Sequence, residues 1–202
     1  QTRKARDSML NPSALLETAH AVWKRHAGPL MLDATAGNGH DTVFLAELAG
    51  EGGMVLAVDR QEEALARSAA LLRQRGLERR VRLTRGDHAD MVALLARELP
   101  DAEALLDLAV FNLGFLPGSD KRVATSAATT LTALEAVWGR LRPGGLLSVH
   151  AYSGHPGGAD EAKAVGDRMR ALPWREAQVS ACSQWNKARS PETLWLAVKN
   201  VR

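Results

Sequence analysis

The stretch LMLDATAGNGHDT, residues 30–42, decides the fold class. Three apolar residues lead into Asp33, and the loop that follows carries Gly37 and Gly39. Glycine permits a backbone with positive φ and a close approach by a ligand, so the pattern predicts a buried strand, a tight turn and a helix. Such a unit is typical of the first strand and helix of a parallel α/β sheet.

Apolar runs and helical periods alternate along the rest of the chain. Strands are predicted at 54–58, 81–84, 105–111 and 146–151, each followed by a helix, and two last strands at 176–182 and 193–198 form a hairpin. This order predicts an α/β fold with a doubly wound, mostly parallel seven-stranded sheet, Rossmann-like, and a C-terminal antiparallel hairpin. An amphipathic helix is predicted at about residues 11–27. No repeat or linker divides the sequence, so residues 1–202 are expected to form a single domain.

Composition narrows the class of protein. The single cysteine, Cys182, excludes an internal disulfide and a multi-cysteine zinc site, and no metal is expected. Nothing in the sequence resembles a cleaved signal peptide and no apolar run approaches about 20 residues, so we expect a cytoplasmic protein with no membrane contact. The net charge of +3 and the pI near 9.4 are compatible with a nucleic-acid partner, although solvated basic faces would give the same totals.

Acidic residues at three consecutive strand ends indicate the ligand. Asp33 and Asp59 end the first two strands, and Asp59 lies where an acid accepts hydrogen bonds from ribose hydroxyls. Asp87 follows the third strand and could accept from an adenine amine; for Asp59 and Asp87 a helix cap is the alternative interpretation. A dinucleotide site requires a third glycine and favours a pyrophosphate, which acids repel. The set favours S-adenosylmethionine, a cationic ligand with an amino-acid end. The predicted cofactor-binding residues are Asp33, Thr35, Gly37, Asn38, Gly39, Asp41, Thr42, Asp59, Arg60, Gln61, Asp87, His88, Asn112 and Gly114.

The loop after the fourth strand predicts the reacting end of the site. Asn112 followed by Leu-Gly-Phe is similar to amine-directed methyltransferases, in which a carboxamide oxygen accepts a hydrogen bond from the target amine. Displacement on a methyl group depends mainly on alignment, and a base is needed only if the amine arrives protonated. Asp41, Asp120 and His155 are the candidate bases, and a plain Gly/Pro surface loop is the alternative interpretation.

A second loop, residues 152–158, follows the fifth strand and is expected at the same rim. The predicted catalytic residues are Asn112, Asp120 and His155. The predicted substrate-binding residues are Phe115, Lys121, Tyr152 and His155. Trp185 could stack on a base, whereas the other four tryptophans are expected in the core.

Three motifs taken together resemble one family. DATAGNGHDT at 33–42, NLGFLPGSDK at 112–121 and HPGG at 155–158 resemble the bacterial "putative rRNA methylase" family of class I methyltransferases. The resemblance implies action on tRNA rather than rRNA, namely N-methylation of the 5-aminomethyl group of wobble (2-thio)uridine. It also implies the tRNA anticodon stem-loop as partner and a homodimer.

Other functions stay open at this point. A methyltransferase of rRNA, small molecules or protein is the first alternative. A nicotinamide-dependent oxidoreductase is a distant one, because the third glycine of its motif is missing. A nucleic-acid-binding module without catalysis would leave three acids around one crevice, where they repel phosphates.

Overall fold

The computed structural model describes residues 13–114, 126–187 and 192–201. Its seven strands form one sheet in the order β3-β2-β1-β4-β5-β7-β6. The strands are β1 (Leu30–Asp33), β2 (Met54–Asp59), β3 (Val81–Arg85), β4 (Leu106–Leu113), β5 (Leu141–Tyr152), β6 (Ala177–Ser183) and β7 (Glu192–Lys199). The helices are α1 (Ala14–His26), α2 (His40–Ala49), α3 (Glu62–Arg75), α4 (Met91–Glu98), α5 (Ala127–Arg140) and α6 (Gly158–Arg170).

The sheet confirms the predicted topology. The first five strands are parallel to one another, whereas β7 is antiparallel to both β5 and β6. The chain moves outward from β1 to β3 and then returns to pair β4 with β1, so the strand order reverses between β1 and β4. In such sheets ligands bind beyond the carboxyl ends of the strands at this reversal. The glycine loop after β1 and Asn112 near the end of β4 both lie there.

Helices cover both faces of the sheet. On one face the core contains Trp23 of α1, Leu45 of α2 and Leu72 of α3. On the other face α4, α5 and α6 contribute apolar side chains such as Leu134 and Val165. No helix in the described parts of the chain is long and apolar enough to cross a bilayer.

Three local expectations differ from the structure. Helix α1 begins at Ala14, where the Ser13 side chain accepts a hydrogen bond from a backbone N–H of the first turn. Strand β5 begins at Leu141 and not at residue 146 as predicted, because residue 141 pairs with Leu106 and a register shift follows. The expectation of a core position for Trp174 is wrong, since this side chain is 74% exposed.

Candidate active site

The loop between β1 and α2 is held tightly against the sheet and α3. The Ala36 N–H donates to the Val58 carbonyl at 2.9 Å, and the Ser68 hydroxyl donates to the Gly37 carbonyl at 3.1 Å. Gly39 has φ +84° and precedes the first turn of α2. A Cβ at Gly39 would lie 2.8 Å from the Cα of Ser68, so only glycine fits between the loop and α3.

Asp33 supports this loop from beneath. Its side chain is fully buried, and its two carboxylate oxygens accept hydrogen bonds from the Thr35 N–H at 3.1 Å and the Thr42 hydroxyl at 2.6 Å. Burial raises the pKa of Asp33 from 3.8 to about 7, and the charge of Asp41 adds to the rise. Asp33 and Thr42 therefore fix the backbone on which a cofactor would rest.

Asp59 joins the glycine loop to the end of β2. One carboxylate oxygen accepts from the Gly37 N–H and the other from the Gln61 N–H, each at 2.9 Å. An ionised carboxylate has about four acceptor positions, so these two bonds leave capacity for ribose hydroxyls. Asn38 lies half-buried between the two glycines, above this carboxylate-bound turn. The structure thus brings Gly37, Asn38, Asp59 and Gln61 together.

Asp87 and Arg60 lie at the next strand end. Asp87 accepts a hydrogen bond from the Ala89 N–H at 3.0 Å, as a cap of the short 3-10 helix that follows β3. The guanidinium of Arg60 lies 3.7 Å from the Asp87 carboxylate. Both side chains are partly exposed, so they form a polar rim beside the glycine loop.

His88 is turned away from this rim. Its side chain is buried, and Nε2 lies 2.9 Å from the Ala34 carbonyl. A carbonyl only accepts, so Nε2 carries the proton and donates. Burial lowers the pKa of His88, which keeps the ring neutral. The structure therefore places His88 beneath the start of the glycine loop, and its contact with the cofactor stays a prediction.

Asn112 is the centre of the reacting end. Its backbone N–H donates to the Thr35 hydroxyl at 2.7 Å, and its side-chain Nδ2 donates to a carboxylate oxygen of Asp41 at 2.8 Å. The amide oxygen Oδ1 is buried, and no group of the described residues forms a hydrogen bond with it. A buried acceptor in this state costs about 1–3 kcal/mol, a cost that a bound donor would relieve.

The second rim loop comes to the same place. A Cβ at Gly114 would lie 3.6 Å from the Cβ of Tyr152 and 3.8 Å from Nε2 of His155. His155 Nδ1 lies 3.0 Å from the Pro156 carbonyl. Gly114, Tyr152 and His155 therefore meet beside Asn112, as the sequence predicts for strand ends that share an edge. Phe115, Asp120 and Lys121 lie outside the described residues.

The structure also brings in two residues that sequence reasoning missed, His150 and Glu192. His150 is fully buried and pairs with Asn112 across β4 and β5. The Tyr152 hydroxyl lies 3.2 Å from its Nδ1, and Glu192 Oε2 lies 3.5 Å from its Nε2. Lys187 completes the chain, with its Nζ 2.6 Å from Glu192 Oε1.

Burial sets the protonation of this second group. It lowers the pKa of His150, against the opposing charges of Glu192 and Asp41, and it raises the pKa of Tyr152. The two residues are therefore neutral near pH 7. The alternation of side chains along β5 could have indicated His150, because residues two apart on a strand share a face and His150 lies two residues before Tyr152.

A family model described as "Putative rRNA methylase" matches residues 55–198. The chain belongs to this family. A chloroplast protein of Arabidopsis thaliana named tRNA (mnm(5)s(2)U34)-methyltransferase is 38% identical over an alignment of 167 residues, which covers 78% of this chain. The matched region spans 59% of the length of that relative.

Solved structures agree with the family. A structure from Clostridium thermocellum described as a "putative rRNA-methylase" has a TM-score of 0.85 and 30% identity. The match covers 94% of this chain and 99% of the other. A Streptococcus mutans protein in complex with SAH has a TM-score of 0.81 and 31% identity, again covering 94% and 99%. The chain is thus an S-adenosylmethionine-dependent methyltransferase of the class I fold, which confirms the predicted fold class and the predicted cofactor.

Proposed function

We propose that this protein transfers a methyl group from S-adenosylmethionine to the 5-aminomethyl group of wobble (2-thio)uridine in tRNA. The observation that carries the proposal is the orientation of Asn112: its amide oxygen is buried with no hydrogen-bond partner in the described parts of the chain, while its Nδ2 is bonded to Asp41. Such an acceptor suits a target that brings its own N–H groups, as an amine does. The name of the Arabidopsis relative supports the same substrate.

The residues around the glycine loop fit the methyl donor. Asp59 retains acceptor capacity for ribose hydroxyls, and the positive φ angles of Gly37 and Gly39 allow the tight turn of the loop on which the amino-acid end of the ligand would rest. The bound donor supplies an electrophilic methyl group on a sulfonium. Arg60 and Asp87 would lie near the adenine, where their partial exposure lets them meet its polar edge.

The chain's own contribution to the reaction is alignment. Asn112 accepts one N–H of the amine through Oδ1, which turns the nitrogen lone pair away from Asn112 and toward the donor. Such alignment is worth up to about 7–11 kcal/mol of the barrier in the best intramolecular cases. We propose that Tyr152 and His155, beside Gly114, border the substrate, and that the tRNA anticodon stem-loop is the partner.

Methyl transfer to tRNA tests this proposal. The substrate is tRNA purified from cells that make 5-aminomethyl-2-thiouridine but do not methylate it, with tRNA lacking the aminomethyl group as its matched control. Mass spectrometry of the nucleosides should show one added methyl group only on the aminomethyl nucleoside. Ribosomal RNA from the same cells is a competing substrate, because the family description names rRNA. Transfer to rRNA but not to aminomethyl tRNA would contradict the proposal.

A further inference from the structure

Asp41, on α2, connects Asn112 of β4 to His20 of α1. One of its carboxylate oxygens, Oδ2, accepts from Asn112 Nδ2 at 2.8 Å, and the other, Oδ1, lies 2.7 Å from His20 Nε2. The three side chains come from α1, α2 and β4, and they lie 21 and 71 residues apart along the chain. Only 15% of the Asp41 side chain and 26% of the His20 side chain are exposed, so water competes weakly for these bonds.

The carboxylate decides which way the Asn112 amide points. A primary amide has a donor end and an acceptor end of nearly the same shape, and a carboxylate only accepts. With the NH₂ toward Asp41 the pair forms a charge-assisted hydrogen bond. In the reversed orientation two oxygens would face each other, and the donor end of Asn112 would point at the incoming amine. Asp41 therefore selects the orientation in which Oδ1 is available.

His20 in turn holds Asp41. Because Asp41 only accepts, His20 Nε2 carries the hydrogen that joins them. The His20 ring stacks on Phe44 with 4.1 Å between ring centroids, and the Trp23 ring lies 4.9 Å away. Trp23 is itself fixed, because its Nε1 donates to the buried Ser148 hydroxyl at 2.8 Å. Helix α1 is thereby anchored to the centre of the sheet, and the imidazole has a defined position.

We infer that Asp41 and His20 are positioning residues for methyl transfer: they fix the Asn112 carboxamide with its oxygen toward the target amine. This inference rests on the proposed function, since it assigns Asn112 the role of accepting from an amine. The positioning role differs from the two other roles considered for Asp41, that of a general base and that of a direct ligand for the cofactor. His20 lies outside the region that the family model matches, so the family match alone does not indicate it.

The first test needs no substrate. In ¹⁵N-labelled protein the side-chain NH₂ of Asn112 is assigned by its loss in Asn112→Ala. In the wild type these protons should exchange slowly and the group should be rigid. Asp41→Asn keeps an acceptor oxygen for Asn112 and should keep most of this protection, whereas Asp41→Ala should lose it. His26→Gln is the matched control, because His26 contacts the Gly144 carbonyl at the opposite edge of the sheet. An Asn112 amide that stays equally protected in Asp41→Ala overturns the inference.

The second test is a double-mutant cycle on turnover. Misplacing a reacting group by about 1 Å can cost about 100-fold, so Asp41→Ala should lower kcat by about this factor with unchanged affinity for S-adenosylmethionine. Asp41→Asn, which cannot act as a base, should retain most of the turnover. In an Asn112→Ala background, Asp41→Ala and His20→Ala should have no further effect on kcat, because both act through Asn112.

Three results would contradict the positioning role. Asp41→Asn as slow as Asp41→Ala would indicate a base, weakened cofactor binding in Asp41→Ala would indicate a ligand, and additive losses in the cycle would indicate an independent role. Failure of the proposed function is distinct from each of these. A wild-type protein that methylates no tRNA refutes the substrate, while the amide exchange measurement still decides the positioning.

Discussion

Replacement of Gly39 by alanine isolates what the tight contact between the glycine loop and α3 requires. Gly39 and Gly52 have nearly the same positive φ, +84° and +85°. A left-handed conformation costs an alanine about 1–2 kcal/mol. At Gly52 the new Cβ has nothing within 4 Å, whereas at Gly39 it would lie 2.8 Å from both the Cα and the Oγ of Ser68. Overpacking of this kind adds about 1–3 kcal/mol.

We therefore expect Gly52→Ala to lower the free energy of unfolding by about 1–2 kcal/mol and Gly39→Ala by about 2–5 kcal/mol. Urea denaturation of both variants measures the two values, and an unchanged slope shows that the unfolded ensemble is comparable. Gly39→Ala should also weaken binding of S-adenosylmethionine, while Gly52→Ala should not. Equal losses of stability in the two variants would refute the argument that Ser68 leaves no room for a side chain at Gly39.

Three further outcomes follow from buried or exposed groups. Folding raises the pKa of Asp33 from 3.8 to about 7, so the contribution of this protonated side chain to stability is complete below about pH 4 and is lost as the pH rises through 7. The free energy of unfolding should fall by at most about 4 kcal/mol over this range. Asp33→Asn should remove this pH dependence, which urea denaturation at several pH values across the range measures. Trp23→Phe should cost about 1–3 kcal/mol in the same assay by leaving the buried Ser148 hydroxyl unpaired, and restored stability in the double variant with Ser148→Ala would identify that bond as the cause. Trp185 is 99% exposed, so Trp185→Ala should change stability by less than about 0.5 kcal/mol, and tRNA binding weakened by about 1–3 kcal/mol would reveal a stacking role.

The fold and the cofactor loop were accessible from sequence because their signals are local. The apolar run before Asp33, the two glycines and the start of the following helix occupy 13 consecutive residues, and each residue type there favours the backbone conformation of its own position. Strand ends at Asp59 and Asn112 follow from the same pattern of apolar runs. In a parallel sheet these ends share one edge, so their neighbourhood could be predicted without any long-range information.

The connections among side chains could not be predicted in this way. The bond between His20 and Asp41 joins two helices, and the contact of His150 with Glu192 joins two strands that meet only in the folded sheet. Position at a strand end also leaves the direction of a side chain open. His88 stands beside Asp87 in sequence, yet its ring points inward to the Ala34 carbonyl because that buried oxygen needs a donor.

The Pro-Gly-Gly segment at 143–145 illustrates a different limit. These residues are typical of turns, and the local signal predicted a strand that begins only at Leu146. Strand β5 begins five residues earlier, at Leu141, because pairing between Leu141 and Leu106 lies on the far side of a register shift. A tertiary contact of this kind overrides local preference, and no local pattern in the sequence announces it.

The role that we propose for Asn112 is to present its amide oxygen to an amine on tRNA. The most direct measurement is single-turnover methyl transfer to tRNA that carries 5-aminomethyl-2-thiouridine, with the wild type and Asn112→Ala compared at saturating S-adenosylmethionine and with cofactor affinity measured by calorimetry in the same samples. We expect transfer to the aminomethyl nucleoside by the wild type, and a loss of about 100-fold in Asn112→Ala with cofactor affinity unchanged. Undiminished transfer by Asn112→Ala, or cofactor binding by the wild type with no transfer to this tRNA, would contradict it.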